Sequence, residues 1–114
     1  MFSNPFSRST PAADPDTIDC EAFEKAVREG EATVVDVREP NEFAAGHIPD
    51  ALNLPLSRFD PKQLPSGKPV VLICQTGRRS RNALNQARAI GRDDVNHYAG
   101  GMTGWRSRNG ALAR

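Results

Sequence analysis

The sequence contains little cysteine and little histidine, and this scarcity excludes several classes of protein. Its 114 residues include two cysteines, Cys20 and Cys74, with no Cys-x-x-Cys pair, and two histidines that lie far apart. A zinc site is therefore not expected, and we predict no metal ligands. A disulfide scaffold is not expected either, because a chain of this length can bury a hydrophobic core without covalent staples.

The sequence also lacks long apolar runs and a strong excess of charge. No stretch is long enough to span a bilayer, and the N-terminus has no apolar signal region. The formal net charge of +1 offers no general attraction to nucleic acid or to an anionic membrane. We therefore expect that the protein binds neither nucleic acid nor a membrane. We also expect it to be cytoplasmic and monomeric. Residues 1–15 are rich in Ser and Pro and predict a flexible tail, followed by one domain over residues 16–114.

Strand and helix patterns alternate along the chain. The continuous apolar run Pro69–Cys74 predicts a central parallel strand that is buried on both faces. Helices are predicted over Cys20–Arg28, with Asp19 as N-cap and Gly30 at the end, and over Ser80–Ile90. Further strands are expected over residues 32–37, 51–54 and 95–98. This order predicts an α/β fold with a mainly parallel sheet and helices on both faces.

The segment Cys74–Arg81, CQTGRRSR, is the candidate chemical centre. A cysteine at the end of a buried strand is often a small hydrophobic residue. Here, however, a short loop leads to a helix, and its backbone N–H groups can bind an anion and lower the thiol pKa. Three arginines near a helix start oppose the helix dipole, and an anionic site supplies a reason for them. We therefore predict that Cys74 is a nucleophile facing an anionic substrate.

Three segments in order resemble the rhodanese-like sulfurtransferases. They are VVDVREPNEFAAGHIPDALNLPL over Val34–Leu56, CQTGRRS over Cys74–Ser80, and GGMTGW over Gly100–Trp105. The resemblance covers nearly all of residues 17–105. It implies a sheet of about five strands and thiosulfate:cyanide sulfurtransferase chemistry, in which Cys74 carries a sulfane sulfur as a persulfide.

The resemblance also implies which residues bind the substrate and what the reaction needs. The donor is thiosulfate or a small persulfide, the acceptor is cyanide, a small thiol or a protein thiol, and no cofactor is required. Many relatives carry Arg directly after the nucleophile, where this chain has Gln75, and we hypothesise that Arg78 restores the positive charge. The residues expected to cradle the persulfide are Gln75, Thr76, Gly77, Arg78, Arg79 and Ser80.

The first of these segments carries charged residues with two open interpretations. Asp36 and Arg38 lie near the end of their strand, so they either line the pocket rim or pair with each other. Glu42 lies four residues after Arg38, a spacing that allows an ion pair if both share a helix. A Cys-His-Asp triad with His47 is disfavoured, because His47 is expected to form a hydrogen bond within its own turn.

Three other side chains have mainly structural interpretations. We expect His97 to be a half-exposed strand residue and Cys20 to have no chemical role. Trp105 is expected to cover the core, although a position beside the active site is the alternative.

Two other functions are compatible with the same kind of fold. A phosphatase or arsenate reductase of this type needs Cys-x5-Arg, yet the sixth residue after Cys74 is Ser80, and Arg79 comes one place too early. A non-catalytic interaction module typically loses its cysteine, whereas Cys74 is present. A sulfur relay to a protein thiol remains open.

Overall fold

A computed structural model describes residues 14–114 of the chain. The predicted tail of residues 1–15 lies outside the described residues except for its last two. The helices are α1 (Cys20–Glu29), α2 (Pro40–Ala44), α3 (Arg78–Ala89) and α4 (Gly101–Ser107), and the strands are β1 (Thr33–Asp36), β2 (Leu52–Asn53), β3 (Val70–Ile73) and β4 (Val95–His97). Two 3₁₀ turns, Leu56–Arg58 and Pro61–Gln63, connect β2 to β3. None of the helices described is long and apolar enough to cross a membrane.

The four strands form one parallel sheet in the order β2-β1-β3-β4. The prediction of about five strands is close, because Thr17 adds a single parallel bridge to His97 at the free edge of β4. That contact cannot extend into a full strand. Asp19 already caps α1, so the chain leaves the sheet directly after Ile18.

The central strand β3 is buried on both faces, as its apolar sequence predicts. All four of its residues are at most 1% exposed. Val70 and Leu72 pack in the core layer beneath α3, while Val71 and Ile73 pack in the layer that contains Phe23 of α1. Helices therefore cover both faces of the sheet, which confirms the predicted architecture.

Helix α1 begins and ends where the sequence predicts. The Asp19 carboxylate accepts the backbone N–H of Ala22 at 2.9 Å, and Gly30 ends the helix with φ of 65°. Phe23 then packs against the rings of Tyr98 and Trp105. Trp105 is thus a core residue of α4, and its indole N–H donates to the Ala111 carbonyl at 2.8 Å.

Helix α3 begins at Arg78, two residues before the predicted start at Ser80. Gly77 is its N-cap, and the Gly77 carbonyl accepts the N–H of Arg81 at 3.0 Å. The prediction placed Arg78 and Arg79 in the loop because Gly77 was interpreted as a loop residue. In the structure both arginines belong to the first turn of the helix, so the loop after Cys74 is only three residues long.

Candidate active site

Cys74 lies directly after β3, at the edge of the sheet where all the parallel strands end. Its side chain is 1% exposed, and the N–H of Gly77 donates to Sγ at 3.0 Å. Burial raises the pKa of the thiol. Hydrogen bonding with the Ser80 side chain and with the backbone N–H groups of Ser80, Gly77 and Thr76 outweighs burial, so the pKa of Cys74 is lowered. The loop therefore favours a thiolate.

Two glycines allow this loop to approach the loop after β4. Gly77 has φ of 103°, and a Cβ built there would lie 2.5 Å from the Ala99 carbonyl oxygen. Gly101 has φ of 63°, and its Cβ would lie 2.3 Å from the Gln75 carbonyl oxygen. Since any side chain would meet backbone at both places, the two loops can interlock only with glycine there.

The start of α4 binds the carbonyl groups of the Cys74 loop. The N–H of Met102 donates to the Cys74 carbonyl at 2.8 Å, and that of Thr103 donates to the Gln75 carbonyl at 3.2 Å. These carbonyls therefore point toward α4, while the following N–H groups point toward Sγ. The Gln75 side chain also turns to α4, where its amide donates to the Thr103 hydroxyl at 3.1 Å.

Arg79 forms a two-pronged ion pair with Glu42 of α2. Its guanidinium donates to Oε1 at 2.7 Å and to Oε2 at 3.0 Å. The hydrogen bonds from Arg79 are the main reason that the pKa of Glu42 falls to about 2. The suggested pairing of Glu42 with Arg38 is wrong, because Arg38 precedes α2 and its guanidinium contacts other groups.

Asp36 and Arg38 pair with each other, which was one of the two interpretations. The guanidinium contacts both carboxylate oxygens, the shortest distance being 2.7 Å from Nη2 to Oδ2, and Nη2 also donates to the Gly46 carbonyl. The side chains are 0% and 2% exposed, respectively. The buried pair therefore connects Asp36, at the end of β1, to the turn at Gly46.

Arg78 differs from the neighbouring arginines because its guanidinium forms no ion pair with a described carboxylate. It is exposed on the first turn of α3, and within residues 14–114 no carboxylate pairs with it. Arg79 is bound by Glu42, and Arg81 contacts Asp14 and Asp16. Arg78 is thus the arginine on the first turn of α3 that no described carboxylate neutralises.

His97 is the site residue that sequence reasoning missed. It is 2% exposed rather than half-exposed, and its Nδ1 lies 2.8 Å from the Ser80 hydroxyl. Ser80 in turn lies 3.6 Å from Cys74 Sγ. A signal was present, because His97 stands two residues after the buried Val95 and therefore points to the same face of β4.

The side chains of the remaining candidates do not contact the sulfur. His47 binds the Phe43 carbonyl at 2.8 Å within its own turn, as expected. Cys20 is partly buried against the core at the start of α1. Thr76 is an exposed residue of the loop, and only its backbone N–H serves the Cys74 sulfur. Among residues 14–114, no cluster of three or more His, Cys, Asp or Glu side chains could hold a metal ion.

Fold and site together define an α/β domain with an anion-stabilising cysteine loop at the carboxyl edge of its parallel sheet. A family model described as the rhodanese-like domain matches residues 19–108. The chain belongs to this rhodanese-like family.

Individual relatives support the same assignment. The chain is 49% identical over 83 residues to an uncharacterized Synechocystis protein, a match that covers 70% of this chain and 46% of that protein. It is 35% identical over 86 residues to the thiosulfate sulfurtransferase GlpE of Pseudomonas syringae, covering 73% of this chain and 80% of GlpE. The human single-domain sulfurtransferase TSTD1 superposes with a TM-score of 0.71 at 29% identity, covering 83% of this chain and 98% of TSTD1. The chain thus spans about half the length of the Synechocystis relative.

Proposed function

We propose that this domain is a sulfurtransferase in which Cys74 takes a sulfane sulfur from an anionic donor and passes it on as a persulfide. Family membership and the relatives named as sulfurtransferases support sulfur transfer in general. The observation that carries the finer proposal is the Gly77 N–H that donates to Sγ at 3.0 Å. This N–H and its neighbours form a cradle for a negative charge on sulfur.

The reaction is a double displacement. The Cys74 thiolate attacks the outer sulfur of thiosulfate, a sulfur–sulfur bond forms, and sulfite leaves with the electron pair of the broken bond. The acceptor then attacks the outer sulfur of the persulfide, and the electron pair of that bond returns to Sγ as thiolate. With cyanide the product is thiocyanate, and with a thiol it is a new persulfide. The chemistry needs no cofactor.

The charges around the Cys74 loop favour an anionic donor. Arg78 is the uncommitted guanidinium on the first turn of α3, directly after the cradle. Gln75 does not replace the positive charge common at its position, because its amide is neutral, and that amide donates to the Thr103 hydroxyl. We therefore assign the docking of thiosulfate, or of a small anionic persulfide, to Arg78.

The acceptor can equally be a protein thiol, in which case the domain is a sulfur relay. A phosphatase reaction is disfavoured, because Ser80 stands where Cys-x5-Arg enzymes carry arginine and its hydroxyl contacts His97. The three-residue loop before α3 suits a single sulfur atom better than a tetrahedral oxyanion.

Intact-protein mass spectrometry tests the proposal. The reduced chain is incubated with thiosulfate and desalted, and its mass is measured. It is then treated with cyanide and its mass is measured again. We expect a gain of one sulfur atom that cyanide removes. Cys74→Ser should gain nothing, whereas Cys20→Ser, the matched control at the other cysteine, should gain sulfur like the unaltered chain.

Three outcomes separate the alternatives. No gain from thiosulfate, followed by none from glutathione persulfide, would reject sulfurtransferase activity and favour an interaction module. A stable gain that cyanide removes but small thiols do not would favour a relay to a protein acceptor. Hydrolysis of a phenyl phosphate ester by the unaltered chain, but not by Cys74→Ser, would favour a phosphatase.

A further inference from the structure

A row of three buried side chains leads from the reacting sulfur into the protein. Cys74, Ser80 and His97 are 1%, 0% and 2% exposed. The Cys74 thiol donates to the Ser80 oxygen at 3.6 Å, and that oxygen lies 2.8 Å from His97 Nδ1. The reaction described so far takes place on the Cys74 sulfur and gives the imidazole no role.

The burial of the imidazole indicates which nitrogen carries its proton. His97 Nε2 is buried with no hydrogen-bond partner among the described residues. An N–H without a partner is rarer in protein interiors than a bare acceptor, so the proton belongs on Nδ1. Burial, aided by the charge of Arg81 and opposed by Asp14 and Asp16, lowers the pKa of His97. Burial and the unpartnered Nε2 together favour a neutral ring whose Nδ1–H donates to the Ser80 oxygen 2.8 Å away.

This direction decides what the Ser80 hydroxyl can do. Since its oxygen accepts from His97, its own hydrogen is free for another acceptor. While Cys74 is a thiol, that hydrogen lies toward the Gly77 carbonyl, 3.2 Å away. When Cys74 is a thiolate, the hydroxyl can turn and donate to Sγ. With the proton on Nε2 instead, the hydroxyl hydrogen would be held by Nδ1, and an oxygen lone pair would face the thiolate.

We propose that His97 is a positioning residue for the sulfur chemistry, because it holds the Ser80 hydroxyl as a donor to the Cys74 sulfur. The inference deepens the proposed function, since it concerns the same thiol. The hydroxyl stabilises Sγ before the donor is attacked. It does so again when the acceptor takes the outer sulfur and the electron pair of the breaking bond returns to Sγ. His97 itself touches no substrate and gains no proton during the cycle.

The test measures the thiol rather than sulfur transfer. In a Cys20→Ser background, the rate of Cys74 alkylation by iodoacetamide is followed against pH, which gives the pKa of the one remaining thiol. Ser80→Ala should raise this pKa and slow alkylation at neutral pH by about tenfold, the loss expected for a hydrogen bond to a charged group. His97→Leu should shift the pKa in the same direction.

Two further variants separate positioning from packing. In the Ser80→Ala, His97→Leu double variant the pKa should equal that of Ser80→Ala, because His97 acts through the hydroxyl. His97→Asn should restore much of the lowered pKa, since its amide N–H can take the place of Nδ1–H. A folded His97→Leu variant with an unchanged pKa, or additive shifts in the double variant, would overturn the proposal.

If His97→Leu does not fold, nitrogen NMR of the imidazole in the unaltered protein gives the same decision. A proton on Nδ1 supports the proposal, and a proton on Nε2 overturns it. Neither measurement depends on sulfur transfer. A chain that alkylates as expected but takes no sulfur from any donor would reject the proposed function while leaving the role of His97 intact.

Discussion

Two helices of this domain begin next to a cysteine, and only one of them leaves its N–H groups free for the sulfur. At α1 the N-cap is Asp19, whose carboxylate binds the N–H of Ala22. At α3 the N-cap is Gly77, which has no side chain to serve as a cap, and its own N–H donates to Cys74 Sγ. Cys20 packs against the core at the first position of α1.

The comparison teaches that a cysteine near a helix start is not activated by position alone. Every helix start has unsatisfied N–H groups, and the residue at the N-cap determines which acceptor they bind. A carboxylate at the N-cap accepts them itself and so stabilises the helix. With glycine at the N-cap and a thiol three residues earlier, they donate to the sulfur instead. The predictions below test this distinction.

The largest effect is expected from exchanging Cys74 for serine, with the same exchange at Cys20 as its control. Cys74→Ser should reduce thiosulfate-dependent thiocyanate formation to the background rate, because no other thiol stands in an N–H cradle. Cys20→Ser should retain the rate of the unaltered chain. Colorimetric assay of thiocyanate measures both, and a large loss in Cys20→Ser would refute the distinction between the two helix starts.

A matched pair of glycine substitutions tests the cradle itself. Gly77→Ala forces a left-handed residue and a contact with the Ala99 carbonyl, so it should destabilise the fold by about 2–5 kcal/mol and raise the pKa of Cys74. Gly91→Ala, with φ of 87° and open space around it, should lose only about 1–2 kcal/mol. Urea unfolding and thiol alkylation provide the measurements. Equal losses at the two positions would contradict the close approach of the loops.

Removal of the uncommitted charge at the α3 start should weaken donor binding. We expect Arg78→Ala to raise KM for thiosulfate about two- to fivefold, as for loss of one exposed charge contact, with little change in kcat. Arg28→Ala, which removes an exposed arginine at the end of α1, is the control. Steady-state kinetics at low and high salt measure the effect, and an unchanged KM would remove Arg78 from the donor site.

Removal of the carboxylate cap of α1 should affect stability alone. Asp19→Ala should destabilise the fold by about 1 kcal/mol, the usual effect of losing an N-cap. The pKa of Cys74 and the transfer rate should stay unchanged, since α1 supplies no group to the sulfur. Urea unfolding and the thiocyanate assay report the two properties, and a fall in rate larger than the fall in folded protein would contradict this separation.

The smallest effect is expected at the Glu42–Arg79 ion pair. Glu42→Gln should destabilise the fold at pH 7 by no more than about 1 kcal/mol, because the pair is partly exposed. The pKa of Glu42 is lowered to about 2, so its contribution is complete above the ordinary carboxyl pKa and is lost as pH falls toward 2. Urea midpoints of the two proteins should therefore converge in acid, and a constant difference down to pH 2 would refute the pairing.

Much of the fold was predictable because local chemistry dictates it. The apolar run of β3 and the caps of α1 at Asp19 and Gly30 are local signals, and the structure has them where they were expected. The start of α3 was misplaced by two residues because glycine is common in both loops and N-caps. The fifth strand is a single bridge at Thr17, since the α1 cap follows too soon for a longer one.

The candidate site was predictable only where the chain itself brings the groups together. Cys74 and its loop are contiguous, so their chemistry could be derived from the sequence. The contacts of Arg79 with Glu42 and of Ser80 with His97 join residues that are distant in the chain. No sequence spacing encodes such contacts. For His97, the alternation along β4 would still have revealed its buried face.

Because of the two closely packed glycines, the length of the loop after Cys74 cannot change independently of the loop after β4. Gly77 lies against the Ala99 carbonyl, and Gly101 lies against the Gln75 carbonyl. An inserted residue in the loop after Cys74 would therefore displace the backbone after β4 as well. For protein engineering, an opening widened to admit a bulkier oxyanion therefore requires both loops to be redesigned together.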